Sequence, residues 1–181
     1  MTVALRVMLD QLIAPTDPDL AAASTGLARG LVAAAPQGCE VQAITPAASP
    51  EQLTTLHADV AGIAHVHRAR LSRRELAAAW QLGAVPSVGG GMIHSPTLLA
   101  PLGRHDRVHA HDQLVVTVWD LTAWDSPGEL PRTSAAWQRA MLKRAVKHAD
   151  AIVVPTHAMA LRLAEHARLA ERVRVIAGAP P

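Results

Sequence analysis

Three clusters in this 181-residue sequence carry residue types suited to binding or catalysis. The first is Ser24-Thr25-Gly26-Leu27-Ala28-Arg29-Gly30, which follows an apolar run and reads as the opening of a helix. Glycine lets backbone approach a ligand, and the free amides of a helix N-terminus attract phosphate, so Thr25, Gly26 and Arg29 are candidates for contact with a pyrophosphate. The motif is not the G-x-G-x-x-G fingerprint, and an ordinary loop-to-helix turn explains it as well. The second is Gly89-Gly90-Gly91-Met92-Ile93-His94-Ser95-Pro96, three glycines leading into a short strand with His94 and Ser95 at its end. Imidazole both donates and accepts, so His94 suits a sugar hydroxyl, while a lone His also serves as a structural residue. The third is Val116-Thr117-Val118-Trp119-Asp120-Leu121-Thr122, an apolar strand running into a polar turn. Trp119 offers a stacking face and Asp120 a carboxylate acceptor for a carbohydrate; a packed Trp beside a turn-forming Asp is the plain alternative.

Other candidates point to less. The pairs at His65 and His67 and at His109 and His111, together with His105, lack the three or four convergent ligands of a zinc site, and they read as loop histidines. No metal is expected. Asp17-Pro18-Asp19 spells D-x-D in an early loop and reads as coincidence. No G-x-S-x-G elbow is present, which removes the commonest serine-hydrolase reading. Arg139, Lys143 and Lys147 recur every four residues on one helix face, a stripe that fits either solvent or anionic lipid headgroups.

The elements that must position these residues alternate. Leu5 to Leu9, Val41 to Thr45, Leu114 to Val118, Ala151 to Val154 and Val173 to Ile176 read as strands, with Ile63 to His67 a further strand and Met92-Ile93 a short one. Helical patterns separate them, which predicts an α/β fold: one Rossmann-like, doubly wound domain, mostly parallel, with helices on both faces. Ser49-Pro50-Glu51-Gln52 and Ser72-Arg73-Arg74-Glu75 match the capping box and mark two helix starts. The second of these helices should stop near Gly83. From about Ser134, the four-residue recurrence of Trp137, Met141, Ala145 and Ala149 predicts a helix facing the core. The stretches Gln11 to Ser24, Ser87 to Asp112 and Ala123 to Thr133 read as loops. Ligands of open α/β sheets bind outside the C-terminal strand ends, where two of these loops lie.

Composition sets limits. The length suits one domain that folds without disulfides or metals. Half the residues are apolar but none is Phe or Tyr, so Leu, Val, Ile, Ala and four Trp must build the core. The single cysteine, Cys39, gives no disulfide framework, and a reduced cytoplasmic setting is the expectation. The apolar start is broken by Arg6 and lacks a signal-peptide cleavage site, and no run reaches the roughly 20 apolar residues of a membrane span. A formal charge of +2 without a basic stripe interleaved with aromatics argues against a nucleic-acid partner.

An ordered series of motifs resembles family four glycosyltransferases of the GT-B fold. Leu114-Val115-Val116-Thr117-Val118-Trp119-Asp120-Leu121-Thr122, Asp125-Ser126-Pro127-Gly128-Glu129, Trp137-Gln138-Arg139-Ala140 and Ala149-Asp150-Ala151-Ile152-Val153-Val154-Pro155-Thr156 follow the "VVTVHDLT, HPE, WxRA, ADAVVVxS" order of their N-terminal domains. Glu171-Arg172-Val173-Arg174-Val175-Ile176-Ala177-Gly178 is similar to the "ERVRVIPNGV" stretch that closes that domain. Met8-Leu9-Asp10, Thr25-Gly26 with Arg29, and His94-Ser95-Pro96 fall in the same order, and actinobacterial mannosyl- or hexosyltransferases are the nearest in pattern. The resemblance implies that residues 1–181 are the acceptor-side half, facing a C-terminal donor-binding domain that these residues do not include. It implies a retaining, metal-free transfer of a hexose from a nucleotide-diphosphate sugar to a glycan or lipid-linked acceptor, with no cofactor. The expected setting, from the cysteine count and the absence of a targeting segment, is the cytoplasm, and the Arg139, Lys143 and Lys147 stripe leaves peripheral contact at the inner face of the membrane open. By position, Gly26 would lie near the diphosphate, His94 and Ser95 would line the acceptor cleft, and Asp120 would close the reaction centre.

This chain departs from the pattern at Trp119, where the family has a His that contacts the donor sugar; indole is neither base nor acceptor. The 181 residues alone are expected to be inactive. Two further readings stay open: a non-catalytic α/β binding or scaffold protein descended from the same fold, and another doubly wound nucleotide-binding protein.

Overall fold

The computed structural model describes residues 3–84, 88, 91–106, 108–109 and 111–177. Seven parallel strands form one sheet: β1 (Val3–Met8), β2 (Cys39–Thr45), β3 (His65–Arg68), β4 (Met92–Ser95), β5 (Gln113–Thr117), β6 (Ala151–Val154) and β7 (Val173–Val175). Their spatial order is β3-β2-β1-β4-β5-β6-β7. The chain therefore winds outward from β1 to β3, crosses back, and winds outward the other way from β4 to β7. This is the Rossmann-like α/β architecture that the alternation of strand and helix patterns predicts. The join between β1 and β4 is a topological switch point.

Alternate strand residues feed two cores, because side chains on a strand point to opposite faces. Val7, Leu9, Val41 and Ala43 pack with Ala28 of α2 (Pro18–Ala34) and Leu56 of α3 (Pro50–Asp59). Met8, Ile44, Ile93, Leu114, Val116 and Ile152 pack on the other face with helices α4 (Arg73–Gln81), α6 (Arg132–His148) and α7 (His157–His166). Without Phe or Tyr, the bulk there comes from Trp80, Met8 and Met141, all fully buried. The four-residue stripe of α6 faces this core as its spacing predicts, with Met141, Leu142 and Ala145 buried.

Both predicted capping boxes form. Ser49 accepts from the amide of Gln52, whose side chain accepts from the Ser49 amide at 2.8 Å, and Ser72 does the same with Glu75. Gly83 ends α4 at φ +87°, in the left-handed region the sequence reading assigned to it. The Gln11-to-Ser24 loop is the main correction. It holds a single-turn helix, α1 (Asp10–Ile13), and the first turns of α2, which begins at Pro18. Asp17 caps that helix by accepting from the amides of Asp19 and Leu20, with Pro18 in the first turn where its missing N–H costs nothing. The D-x-D triplet is thus a helix start. Ala123 to Thr133 is likewise more ordered than expected, containing α5 (Thr122–Asp125), a turn of 3-10 helix at Pro127–Glu129, and the start of α6.

Candidate functional site: a cleft at the strand switch point

The C-terminal ends of β1 and β5, with the loop after β4 and the starts of α4 and α6, enclose a cleft of about 170 Å³. Two indoles, Trp119 and Trp137, line it with Arg73, Gln11, Asp120 and Thr117. It lies where open α/β sheets bind ligands, outside the strand ends at the reversal of strand order.

One wall is built on a buried ion pair. Asp10, the residue after the apolar end of β1, is fully buried, and its Oδ2 accepts from Arg73 Nε at 2.7 Å and from Gln11 Nε2 at 2.9 Å. Gln11 in turn accepts through Oε1 from the amide and hydroxyl of Thr16. Burial pushes the Asp10 carboxyl up from its ordinary range, while Arg73 and Gln11 pull it back down. Its second oxygen, Oδ1, is buried without a hydrogen-bond partner. Arg73 and Gln11 thereby reach the cleft from fixed positions.

The opposite wall comes from β5 and its exit. Trp119 Nε1 donates to the Pro96 carbonyl at 2.7 Å, tying the loop after β4 to the end of β5. Trp137 Nε1 is spent in the same way on the Ala77 carbonyl at 3.2 Å. Each indole is held in one orientation by its own hydrogen bond, leaving its aromatic surface as what it can present to a ligand. Asp120 is exposed, and its Oδ1 accepts from the Thr122 amide at 2.8 Å, a turn contact that fixes the carboxylate at the cleft mouth. Behind this wall, His94 Nε2 lies 3.1 Å from Thr117 Oγ1. Burial lowers the His94 pKa to about 4, so the ring is neutral near pH 7 and Thr117 is its contact into the cleft.

The sequence candidates separate on this geometry. Trp119 and Asp120 line the cleft, and His94 reaches it through Thr117. Ser95 does not line it: fully buried, it donates to the Leu99 carbonyl at 2.8 Å and accepts from the Thr97 amide, holding the loop in shape. The helix-start reading of Thr25 and Gly26 is corrected. Both sit inside α2, where amides are already used by the helix, and the Ser24 and Thr25 hydroxyls donate back to the carbonyls of Leu20 and Ala21. The residue that α2 gives to the cleft is Leu20, nearer its start. Arg29, further along α2, donates through Nε to the Asp59 carbonyl at the end of α3, 2.6 Å away. Gly89 and Gly90 lie outside the described residues; Gly91 takes φ +98°, and a Cβ there would meet the Ala4 carbonyl oxygen at 2.9 Å.

Arg73, Gln11 and Trp137 line the cleft, and Asp10 holds the first two from behind it; the motifs that contain Asp10, Arg73 and Trp137 were not read as site residues. An acid directly after a buried strand was the available signal for Asp10. Its pairing with Arg73, 63 residues on, carries no local signature.

The histidines do not converge on one point. His65 and His67 are on β3 rather than in a loop, their rings in edge contact, and His105 Nε2 lies 2.8 Å from the Asp150 carboxylate. Among the described residues no group of three or more His, Cys, Asp or Glu is placed to hold a metal, and no helix is long and apolar enough to cross a membrane.

No protein-family model matches the chain, and no curated protein matches it in sequence. Among solved structures it is similar to Anabaena HepE (Alr3699), crystallised in complex with UDP, with 14% identity and a TM-score of 0.53. The similarity covers 99% of this chain and 44% of that one, so the chain spans less than half of HepE. At that identity the likeness concerns the fold alone.

Proposed function

We propose that this chain is the acceptor-binding half of a retaining glycosyltransferase that moves a hexose, mannose among the candidates, from a nucleotide-diphosphate sugar to a glycan or lipid-linked acceptor. The observation that carries the reading is the cleft: two fixed indoles, Arg73, Gln11 and an exposed Asp120 at the switch point of the sheet. Apolar ring faces beside hydrogen-bonding side chains suit a pyranose, which has C–H faces and a hydroxyl rim. HepE, crystallised in complex with UDP, supports the reading through its fold.

In this reading the acceptor sugar lies against Trp119 with its hydroxyls toward Asp120, Gln11 and Arg73. A second Rossmann-like domain holds the donor and stabilises the departing diphosphate with positive side chains and amides. Neutral His94 keeps the Thr117 hydroxyl oriented. No cofactor or metal is required, and the setting proposed is the cytoplasm.

The test is indole N–H NMR on the 181-residue chain, titrated with mannosides and glucosides and separately with UDP. Shifts of the Trp119 and Trp137 resonances with a glycoside, and none with UDP, support acceptor binding. Tight nucleotide binding with no response to glycosides would move the chain to the nucleotide-binding class.

A second reading, a non-catalytic binding protein on the same fold, is favoured by one feature: the Trp119 nitrogen is engaged by Pro96 where the resembled family has a donor-contacting His. Trp119→His in a protein carrying both domains separates the two. A gain in hexose transfer supports the enzyme, and no transfer by either form supports the binding protein.

A further inference from the structure

A second cavity shares no residue with the cleft. Between β3 and α4, a groove of about 520 Å³ is lined by Ile44, Leu76 and Trp80 below and by His65, His67, Arg68, Arg70 and Leu71 at its lip. Its size falls within the roughly 300 to 1,000 Å³ of small-molecule sites.

Two observations indicate what would fill it. The first is charge: the lip carries two arginines, and no acid is among the described lining residues. Arg68 and Arg70 are exposed, and Leu71 beside them leaves 37% of its surface in water, an apolar lip next to cationic groups. The second is the floor. Ile44, Leu76 and Trp80 are almost fully buried, and Trp80 Nε1 has no partner among the described residues, so a hydrocarbon body laid over them breaks no hydrogen bond.

We propose that this groove is a binding site for an anionic amphiphile: a carboxylate or phosphate held at the histidine and arginine lip, with an apolar body laid over Ile44, Leu76 and Trp80. It is independent of the glycosyl-transfer reading.

Bromoundecanoate is the probe, because bromine quenches an indole it touches. Titrated into the 181-residue chain, it should quench tryptophan fluorescence saturably, and bromoundecanol should bind about tenfold more weakly. Trp80→Phe should remove the quenching while calorimetry still detects binding. Arg68→Ala with Arg70→Ala should weaken binding about fivefold, with Arg70→Ala alone as the control because Arg68 also donates through Nη1 to the Ala48 carbonyl. Equal binding of acid and alcohol, quenching that survives Trp80→Phe but is lost in Trp119→Phe, or no binding at all would each overturn the proposal. Phosphatidylglycerol vesicles that displace the probe assign the head group to a lipid phosphate; displacement by free fatty acid alone assigns it to a soluble carboxylate.

Discussion

Arg73 and Asp10 meet across 63 residues of chain at 2.7 Å, yet they are unequally buried: the Asp10 side chain is wholly enclosed, whereas Arg73 retains 22% exposure. Losing either partner therefore has unequal effects. Arg73→Ala leaves a carboxylate buried without its counter-ion and should cost about 3 kcal/mol or more, whereas Asp10→Asn leaves an arginine that can turn toward water and should cost less. Urea denaturation at neutral pH measures both. Protonating Asp10 removes the stranded charge, so the Arg73→Ala deficit should shrink as pH falls toward 4; equal costs in the two variants at all pH values would contradict this account.

His94 supplies an acid sensitivity of known sign. Its pKa is lowered by burial from an ordinary 6.5 to about 4, so between those values the unfolded chain binds a proton that the folded chain refuses. Stability from this group is present above pH 6.5 and is lost as pH falls toward 4, by about 2 to 3 kcal/mol at pH 4.5. His94→Gln should flatten that part of the stability profile, and an unchanged slope would place the titrating group elsewhere.

Gly26 offers a direct check on its place inside α2. Nothing lies within 4 Å of where its Cβ would be, and the same holds for Gly30. Alanine at either position should stabilise by about 0.5 to 1 kcal/mol, because helix-interior glycine carries an entropy cost. Gly91→Ala should do the reverse, given its positive φ and the Ala4 oxygen 2.9 Å from the added carbon. Thermal melts of the three variants read this out. A Gly26→Ala protein that is more stable but loses diphosphate-sugar use in a two-domain context would return Gly26 to the site.

Trp119 separates shape from hydrogen bonding. Trp119→Phe keeps a ring face and drops the donor to Pro96, for an expected loss of about 1 kcal/mol in stability with glycoside binding retained. Trp119→Ala should abolish glycoside binding measured by calorimetry. Equal affinity in both variants would remove stacking from the account.

The basic stripe on α6 is a proposed membrane contact. Lys143 and Lys147 are exposed, whereas Arg139 also donates through Nε to the Ala123 carbonyl at 2.8 Å. At about 1 kcal/mol per basic residue near an anionic surface, Lys143→Glu with Lys147→Glu should cut sedimentation with phosphatidylglycerol vesicles at least tenfold. No difference from the parent protein would leave the stripe as a solvated face.

The architecture was readable because its signals are local. Apolar β-branched runs mark strands, and Ser49 and Ser72 start helices through residues three positions on. Asp17-Pro18 was equally local, but the D-x-D pattern and the following alanines obscured a helix start that capping rules would have supported. Trp119 and Asp120 were legible as cleft residues for a related reason: they stand where a strand ends. The Asp10–Arg73 pair was not, since it depends on β1 and α4 converging across the switch point. Ser95 was grouped with its neighbour His94, whereas its hydroxyl closes a turn two to four residues away.

The strand order has a mechanical consequence. Strands β1 to β3 and β4 to β7 meet along one short ladder, Leu5 with Met92, Arg6 with Ile93 and Val7 with His94, while β1 and β2 are joined over six pairs. The sheet is therefore joined at the switch point by half the pairs that β1 and β2 share. Opening along that line should precede separation of β1 from β2, with amides of the β1–β4 ladder exchanging before those shared by β1 and β2. Because Arg73 and Gln11 stand on one side of the line and Trp119 and Asp120 on the other, a ligand bridging them would act as a clasp, slowing exchange along the seam.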